Sequence, residues 1–373
     1  MSARTRIVLL IISSCIAGLL TIGESMRSLA GEQVHDPVRT VRNLYEAVDW
    51  QTFGQYKANF HTHTARSDGT GTPAEMIDAY HDRGYSVLAI TDHDYSHQQA
   101  SDQVTYPWTD YGRDPGAIDI VAVPGQEIYT GPHDLLSLFN TYPGKGRGSE
   151  ILAMAGVSNN GGLAVWAHPG QYHSEYFNQK NPERFSLKWY VDSYRKNPHL
   201  IGMEVINQKD RFGNGSYNDR MLWDQVLTEL LPTKMVWGFA NDDSHNRYDV
   251  PGGMVGASWN VLLLPELTYV AVRNAVEAGQ FYFVSRYTIP DPRGEAPTIV
   301  AIDIDETAQS ITVTGKDYDS VTWISEGRAI HTGERLEYTR TQGIGKYVRA
   351  VLTGPGGEAF TQPFEVLEMR QAD

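Results

Sequence analysis

Twelve histidines are spread along the chain, and six of them stand at the ends of apolar runs or beside acidic residues, where they could hold a cation. In chain order the segments are His61-Thr62-His63, Ser67-Asp68-Gly69, Thr91-Asp92-His93, Gln126-Glu127, His133, His168-Pro169 and Asp243-Ser244-His245. Residues two apart on a strand point the same way, so His61 and His63 can aim two imidazoles at one ion. Such a pair alone is weak, because most are ordinary surface or core histidines. It gains force from four further strand ends or adjoining loops, which offer His93, Glu127, His168, and Asp243 with His245. Asp68 follows in the loop of the first pair. Nitrogen and carboxylate donors of this kind suit Zn, Mn or Fe. Cys15 is the only cysteine, so a thiolate cage and a disulfide framework are both excluded.

The elements that must position these residues alternate between apolar strands and helices. Tyr56–Phe60 reads as a strand that ends at His61. Thr72-Pro73-Ala74-Glu75 starts a helix, with Thr72 as N-cap, Pro73 in the first turn and Glu75 closing a capping box, and Gly84 stops it. Strands follow at Ser86–Thr91, Ile118–Val123, Asp134–Phe139, Leu163–Ala167, Leu200–Ile206, Met235–Ala240 and Ser258–Leu264. Helices are expected at Ser149–Ser158, Tyr217–Leu231 and Pro265–Ala278. Buried strands alternating with helices imply a parallel α/β sheet or barrel, whose chemistry gathers at the C-terminal ends of the strands. Residues 31–55 read as a linker with one short helix around Val38–Val48, and Tyr287–Pro297 as a second linker. From residue 298 to 373, five short strands separated by Gly, Asp and Thr turns suggest a small β-sandwich-like domain with no chemical motif of its own.

The chain has 373 residues, of which 41% are hydrophobic and 20% charged, a globular balance. Residues 1–30 read as an export leader. Arg4 and Arg6 form a basic start, Ile7–Gly23 an uncharged and mostly apolar run, and Ser28-Leu29-Ala30 a small-residue cleavage site. The alternative is a retained membrane anchor facing outside, the only route by which this chain would meet a membrane. The whole chain carries −14, and without the leader's net +2 the remainder stands at −16, which argues against a surface that tracks long nucleic acid.

Taken together, HTHTARSDG, ITDHD, GQE, His133, AHP and DDSH resemble the successive motifs of the PHP (polymerase and histidinol phosphatase) family of metal-dependent phosphoesterases, over residues 56 to 290. The resemblance implies a distorted (β/α)7 barrel holding two or three divalent ions. Carried over residue by residue, His61 and His63 bind the first ion together with Asp243, and Glu127 bridges the first and second. His133 and His168 complete the second, while Asp68, His93 and His245 hold a third. Asp243 is favoured over Asp242 because it stands two before His245. Asp92 is either a ligand or a partner of a metal-bound imidazole. Two ions about 3.5–4 Å apart can share one hydroxide and direct it at phosphorus, with Glu127, Asp243 and His245 as the catalytic side chains. A small phosphomonoester or phosphodiester is the expected substrate, with Arg66, Lys209 and Arg211 as cations for its phosphate. Glu204 is either a substrate-orienting acid or a structural partner, and Tyr172 and His173 are candidates for the pocket lining. Amide or phosphotriester hydrolysis, and a non-catalytic metal-binding module with a surface-binding β-domain, stand as alternatives.

Overall fold

The computed structural model describes residues 38–94, 104–131, 133–144, 149–172, 183, 185–208, 214–247, 254–287 and 294–369. Residues Arg39–Glu368 form one compact unit, distinct from Met1–Val38 with Met369–Asp373. The leader lies outside the described residues. Among the described residues no helix is long and apolar enough to cross a membrane.

The strands are β1 (Val38–Arg42), β2 (Gly54–Asn59), β3 (Val87–Ile90), β4 (Val121–Tyr129), β5 (Asp134–Leu138), β6 (Leu163–Ala167), β7 (Leu200–Asn207), β8 (Trp237–Asn241), β9 (Ser258–Leu264) and β10 (Phe281–Arg286). They continue with β11 (Thr298–Asp305), β12 (Ser310–Lys316), β13 (Ser320–Ser325), β14 (Arg328–Thr332), β15 (Arg335–Glu337), β16 (Tyr347–Gly354), β17 (Gly357–Phe360) and β18 (Phe364–Met369). The longer helices are α1 (Pro73–His81), α2 (Glu150–Asn159), α3 (Leu187–Lys196), α4 (Asn214–Leu230) and α5 (Tyr269–Ala278). Helix α1 begins as the sequence dictates: Thr72 accepts the Glu75 N–H, and the Glu75 carboxylate reaches back to the Thr72 N–H. The short helix expected around Val38–Val48 is not formed. Val38–Arg42 is instead a strand at the sheet edge beside β18, in keeping with its β-branched residues Val38, Thr40 and Val41.

One mixed sheet carries the site, in the order β10-β9-β2-β3-β4-β5-β6-β7-β8. The pairs β2–β3, β3–β4, β6–β7 and β7–β8 are parallel. The residues after β8 return to those after β2. Thr62 and Ser244 form a parallel bridge, the His63 N–H donates to Ser244 O at 3.0 Å, and the Asp243 N–H donates to His61 O at 3.0 Å. Strand β5 departs from the parallel pattern expected of it, running antiparallel to both β4 and β6. The cause is length: the few residues between Tyr129 and Asp134 make a hairpin, whereas a parallel return needs a crossover of a dozen or more.

Strands β11 to β18, read in the sequence as a small β-sandwich-like domain, are arranged in two ways. Strands β11, β12 and β15 form a separate three-stranded sheet, while β16, β17 and β18 extend the main sheet beyond β10, with β13 attached to β16 and β14 to β13. The apolar faces of β11, β12, β13 and β16 pack into one core with Trp259 of β9, Tyr282 of β10 and Tyr85, just before β3.

Candidate metal centre

The side chains at the rim of the sheet converge because each leaves the C-terminal end of a neighbouring strand. His61 and His63 follow β2, His93 follows β3, Glu127 lies near the end of β4, His168 follows β6, and Asp243 with His245 follow β8. His93 and Glu127 are joined by a parallel bridge. His168 has φ 27 and Asp243 φ 42, left-handed values that non-glycine residues hold only where the surroundings enforce them.

Glu127 Oε2 lies 3.0 Å from His61 Nε2, 3.1 Å from His63 Nε2 and 3.3 Å from His93 Nδ1. Its other oxygen lies 3.1 Å from His168 Nε2. Asp243 Oδ1 lies 3.3 Å from His61 Nε2 and 3.1 Å from His63 Nε2. The two Nε2 atoms are themselves only 3.1 Å apart. Toward the open side, Asp68 meets His245 at 3.3 Å, His63 at 3.5 Å and His93 at 3.7 Å. Among the described residues, four sets bring one donor atom from each member within 4.8 Å of the others. They are His63-Asp68-His93-His245, His61-His63-Glu127, His61-His168-Asp243 and Glu127-Asp134-His168.

The structure thus brings His61, His63, Asp68, His93, Glu127, His168, Asp243 and His245 together. His133 is not among them. Its Nδ1 lies 3.1 Å from Glu150 Oε1, its Nε2 lies 3.1 Å from the Tyr190 hydroxyl, and its ring stacks on Trp189. Asp134 reaches the rim instead, since consecutive strand residues point to opposite faces. Its register neighbours explain the placement. Asp134 lies opposite Tyr129 of β4, two residues past Glu127, and opposite Ala167 of β6, one before His168. Asp242 also turns away: it accepts the Tyr85 hydroxyl at 2.7 Å, the Ser258 N–H at 2.8 Å and the Gly256 N–H at 3.0 Å. Burial pushes its carboxyl up to about 6.

Asp92 and Glu204 support the rim from behind. Asp92 accepts the Thr64 N–H at 2.7 Å and the hydroxyls of Thr64, Ser67 and Thr105, which fastens the loop after His63 to the end of β3. The carboxylate of Glu204 is buried and faces four partners. The Asn241 and Asn207 amides donate to it at 2.8 and 2.9 Å, the His168 N–H at 2.8 Å, and His61 Nδ1 lies 2.9 Å away. That contact turns His61 Nε2 toward Glu127 and Asp243. Gln208, unremarked in the sequence, donates to Asp243 Oδ2 at 3.3 Å. Its signal was its place at the end of β7. Arg66 lies with its guanidinium over the Tyr111 ring at 5.3 Å. Lys209, Arg211 and His173 lie outside the described residues.

The electrostatics of the cluster are those of imidazoles and carboxylates buried against one another. Burial opposes a charge on His61, but Glu127, Asp243 and Glu204 outweigh it and hold its pKa well above the ordinary value. His63 rises to about 10 and His168 to about 9 against the same opposition from burial, through Asp243 and Glu127. Burial likewise works against Glu127 and Asp243, yet the surrounding histidines keep both carboxyls below their usual range. Glu127 Oε2 and Asp243 Oδ1 are buried and accept no hydrogen bond although ring nitrogens surround them. Buried acceptors are otherwise almost always satisfied. Nitrogen and oxygen donors grouped in this way fit divalent metal ions.

No family model matches the chain, and no curated protein matches it. Among solved structures, it is similar to a two-domain protein from Bacteroides vulgatus described as containing a PHP-like metal-dependent phosphoesterase. The TM-score is 0.48 at 12% identity, covering 89% of this chain and 100% of that one. An amidohydrolase from Chromobacterium violaceum matches with a TM-score of 0.39 at 18% identity, over 60% of this chain and 96% of that one. A protein from Bifidobacterium adolescentis assigned as a metal-dependent phosphoesterase matches with a TM-score of 0.37 at 16% identity, over 60% and 96%. In its ordered motifs, HTHTARSDG, ITDHD, GQE, AHP and DDSH, the chain resembles the PHP family of metal-dependent phosphoesterases.

Proposed function

We propose that the protein is an exported metal-dependent hydrolase that cleaves a small phosphoester. The observation that carries the reading is the pair of buried carboxylate oxygens, Glu127 Oε2 and Asp243 Oδ1. Each faces His61 and His63 Nε2 at 3.0–3.3 Å without a hydrogen bond. On this reading His61, His63 and Asp243 hold one ion, Glu127, Asp134 and His168 a second, and Asp68, His93 and His245 a third. Glu127 belongs to two of the observed donor sets, so its carboxylate would serve two ions. We read the strand path β2 to β8, closed by the Thr62–Ser244 bridge, as the distorted (β/α)7 barrel of the family.

Divalent ions supply Lewis acidity, lowering the pKa of water and offsetting charge on phosphoryl oxygens. The chain's own residues do the rest. Glu204 holds the ring of His61 and the backbone of His168 in one orientation. The burial of His61, His63 and Glu127 excludes bulk water and strengthens every charge interaction within. Arg66, partly exposed in the loop between His63 and Asp68, supplies a cation suited to a phosphate. The net charge of −14 favours small anionic substrates over long polyanions.

Elemental analysis of the purified protein is expected to find at least two ions per chain. Protein supplied with Zn, Mn or Fe is expected to hydrolyse bis-nitrophenyl phosphate or a nitrophenyl monoester. His61→Ala and Glu127→Ala are each expected to lower that rate at least 10²-fold, the scale on which a central electrostatic group contributes. Full activity in both variants, or wild-type protein without ions, would refute the reading.

A further inference from the structure

His133, carried over from the family pattern as a ligand, is held elsewhere by a set of contacts too specific for a spare core residue. Its ring lies flat on Trp189, at 4.2 Å and 8° between planes. Nδ1 lies 3.1 Å from Glu150 Oε1, Nε2 lies 3.1 Å from the Tyr190 hydroxyl, and the His133 carbonyl accepts the Thr130 N–H at 3.0 Å. Ring plane, both ring nitrogens and backbone are therefore all fixed. A carboxylate, an imidazole and a phenol buried among Trp166, Trp189 and Phe185 would cost stability beside an apolar filling of the same shape.

We propose that His133, Glu150 and Tyr190 form a positioning network for Asp134 and His168, and through them for one ion of the centre. The inference rests on the metal-centre reading above. His133 is bonded directly to Asp134, and neighbouring strand residues point to opposite faces. Locking the His133 ring outward therefore aims the Asp134 carboxylate inward, toward Glu127 and His168. The same network reaches the other side of that set. The Tyr190 hydroxyl, 3.1 Å from His133 Nε2, also lies 3.3 Å from the carbonyl of Pro169, the residue after His168. His168 holds a left-handed φ of 27, so its geometry depends on what braces the chain around it. One hydroxyl thus ties the start of β5 to the turn after β6. The sets built from His61, His63, Asp68, His93, Asp243 and His245 draw mainly on the ends of β2, β3 and β8, so the effect falls on one ion more than on the others.

The test compares Tyr190→Phe, Glu150→Gln and, as reference for the affected ion, Asp134→Asn. Mn or Zn bound per chain and its affinity are measured by chelator competition, and melting is recorded for the metal-free proteins. Tyr190→Phe and Glu150→Gln are expected to weaken, by about 10–100-fold, the same single ion that Asp134→Asn weakens. The remaining ions and the metal-free melting temperature should stay near wild type. Wild-type affinity for every ion in both variants overturns the proposal. Equal weakening of all ions together with a lower metal-free melting temperature also overturns it, because that is the outcome of a merely structural role. Wild-type protein that binds no ion removes the metal-centre reading itself, and the proposal with it.

Discussion

His63 and His168 owe their raised pKa values to carboxylates a few ångströms away, against the opposition of burial, and this gives the centre two opposite pH responses. In metal-free protein the folded-state values, about 10 for His63 and about 9 for His168, stand above the ordinary 6.5. Stability from these groups is fully present below 6.5 and is lost as pH rises through the folded values. Lys57 and Lys234, both lowered to about 8 by burial, act in the opposite sense above that pH. The clean window is therefore 6.5 to 8. Across it the melting temperature of chelator-treated protein is expected to fall as pH rises, while affinity for Mn or Zn rises because ligation needs neutral imidazole. Melts and metal titrations at several pH values check both slopes. A metal-free melting temperature that climbs across the window would contradict the assignment of His63 and His168 to the buried cluster.

The hairpin of β4 and β5 places Glu127 and Asp134 on the same rim although the two strands run in opposite directions. Its tightness rests on Gly125, where a Cβ would come 2.8 Å from the Ser137 carbonyl oxygen and 3.2 Å from Leu138. Gly125→Ala is expected to push the strands apart at a cost of about 1–3 kcal/mol. Thermal melting would record that loss, and metal content would record the displacement of Glu127 from Asp134. An unchanged melting temperature and ion content would show that the pair can relax freely. Much of this layer was legible in the sequence. Strands β6 and β9 fall at the bounds read from their apolar runs, and α1 starts at its capping box. Helix α3 was overlooked although Ser186 accepts the Trp189 N–H as N-cap and Leu187, Tyr190, Val191 and Tyr194 mark one face. The choice between His133 and Asp134 was not legible, because adjacency in sequence does not say which of two neighbours faces inward. Register against β4 and β6 decides it, and register is a property of three segments at once.

Across the whole unit, the strands after residue 298 are fastened to the helix that flanks the site. Arg349 of β16 donates to Asp224 of α4 at 2.9 and 2.7 Å, and the Tyr347 hydroxyl donates to the same carboxylate at 2.6 Å. All of this is buried. Asp224→Ala leaves the Arg349 guanidinium buried and unpaired, a loss of about 3–5 kcal/mol, to be read in denaturant unfolding. A cost below about 1 kcal/mol, the value of an exposed pair, would mean that the tail is only loosely attached. Arg220 of α4 likewise meets Glu358 of β17 at 2.9 Å. These contacts accompany a backbone arrangement with its own consequence. Strand β10, reading FYFVSR, is paired on one side with β9 and on the other with β17, Phe283 opposite Phe360. Without β17, an aromatic strand would face solvent as an open edge, a template on which further chains could stack. The tail strands, which carry no chemical group of the centre, thereby close that edge.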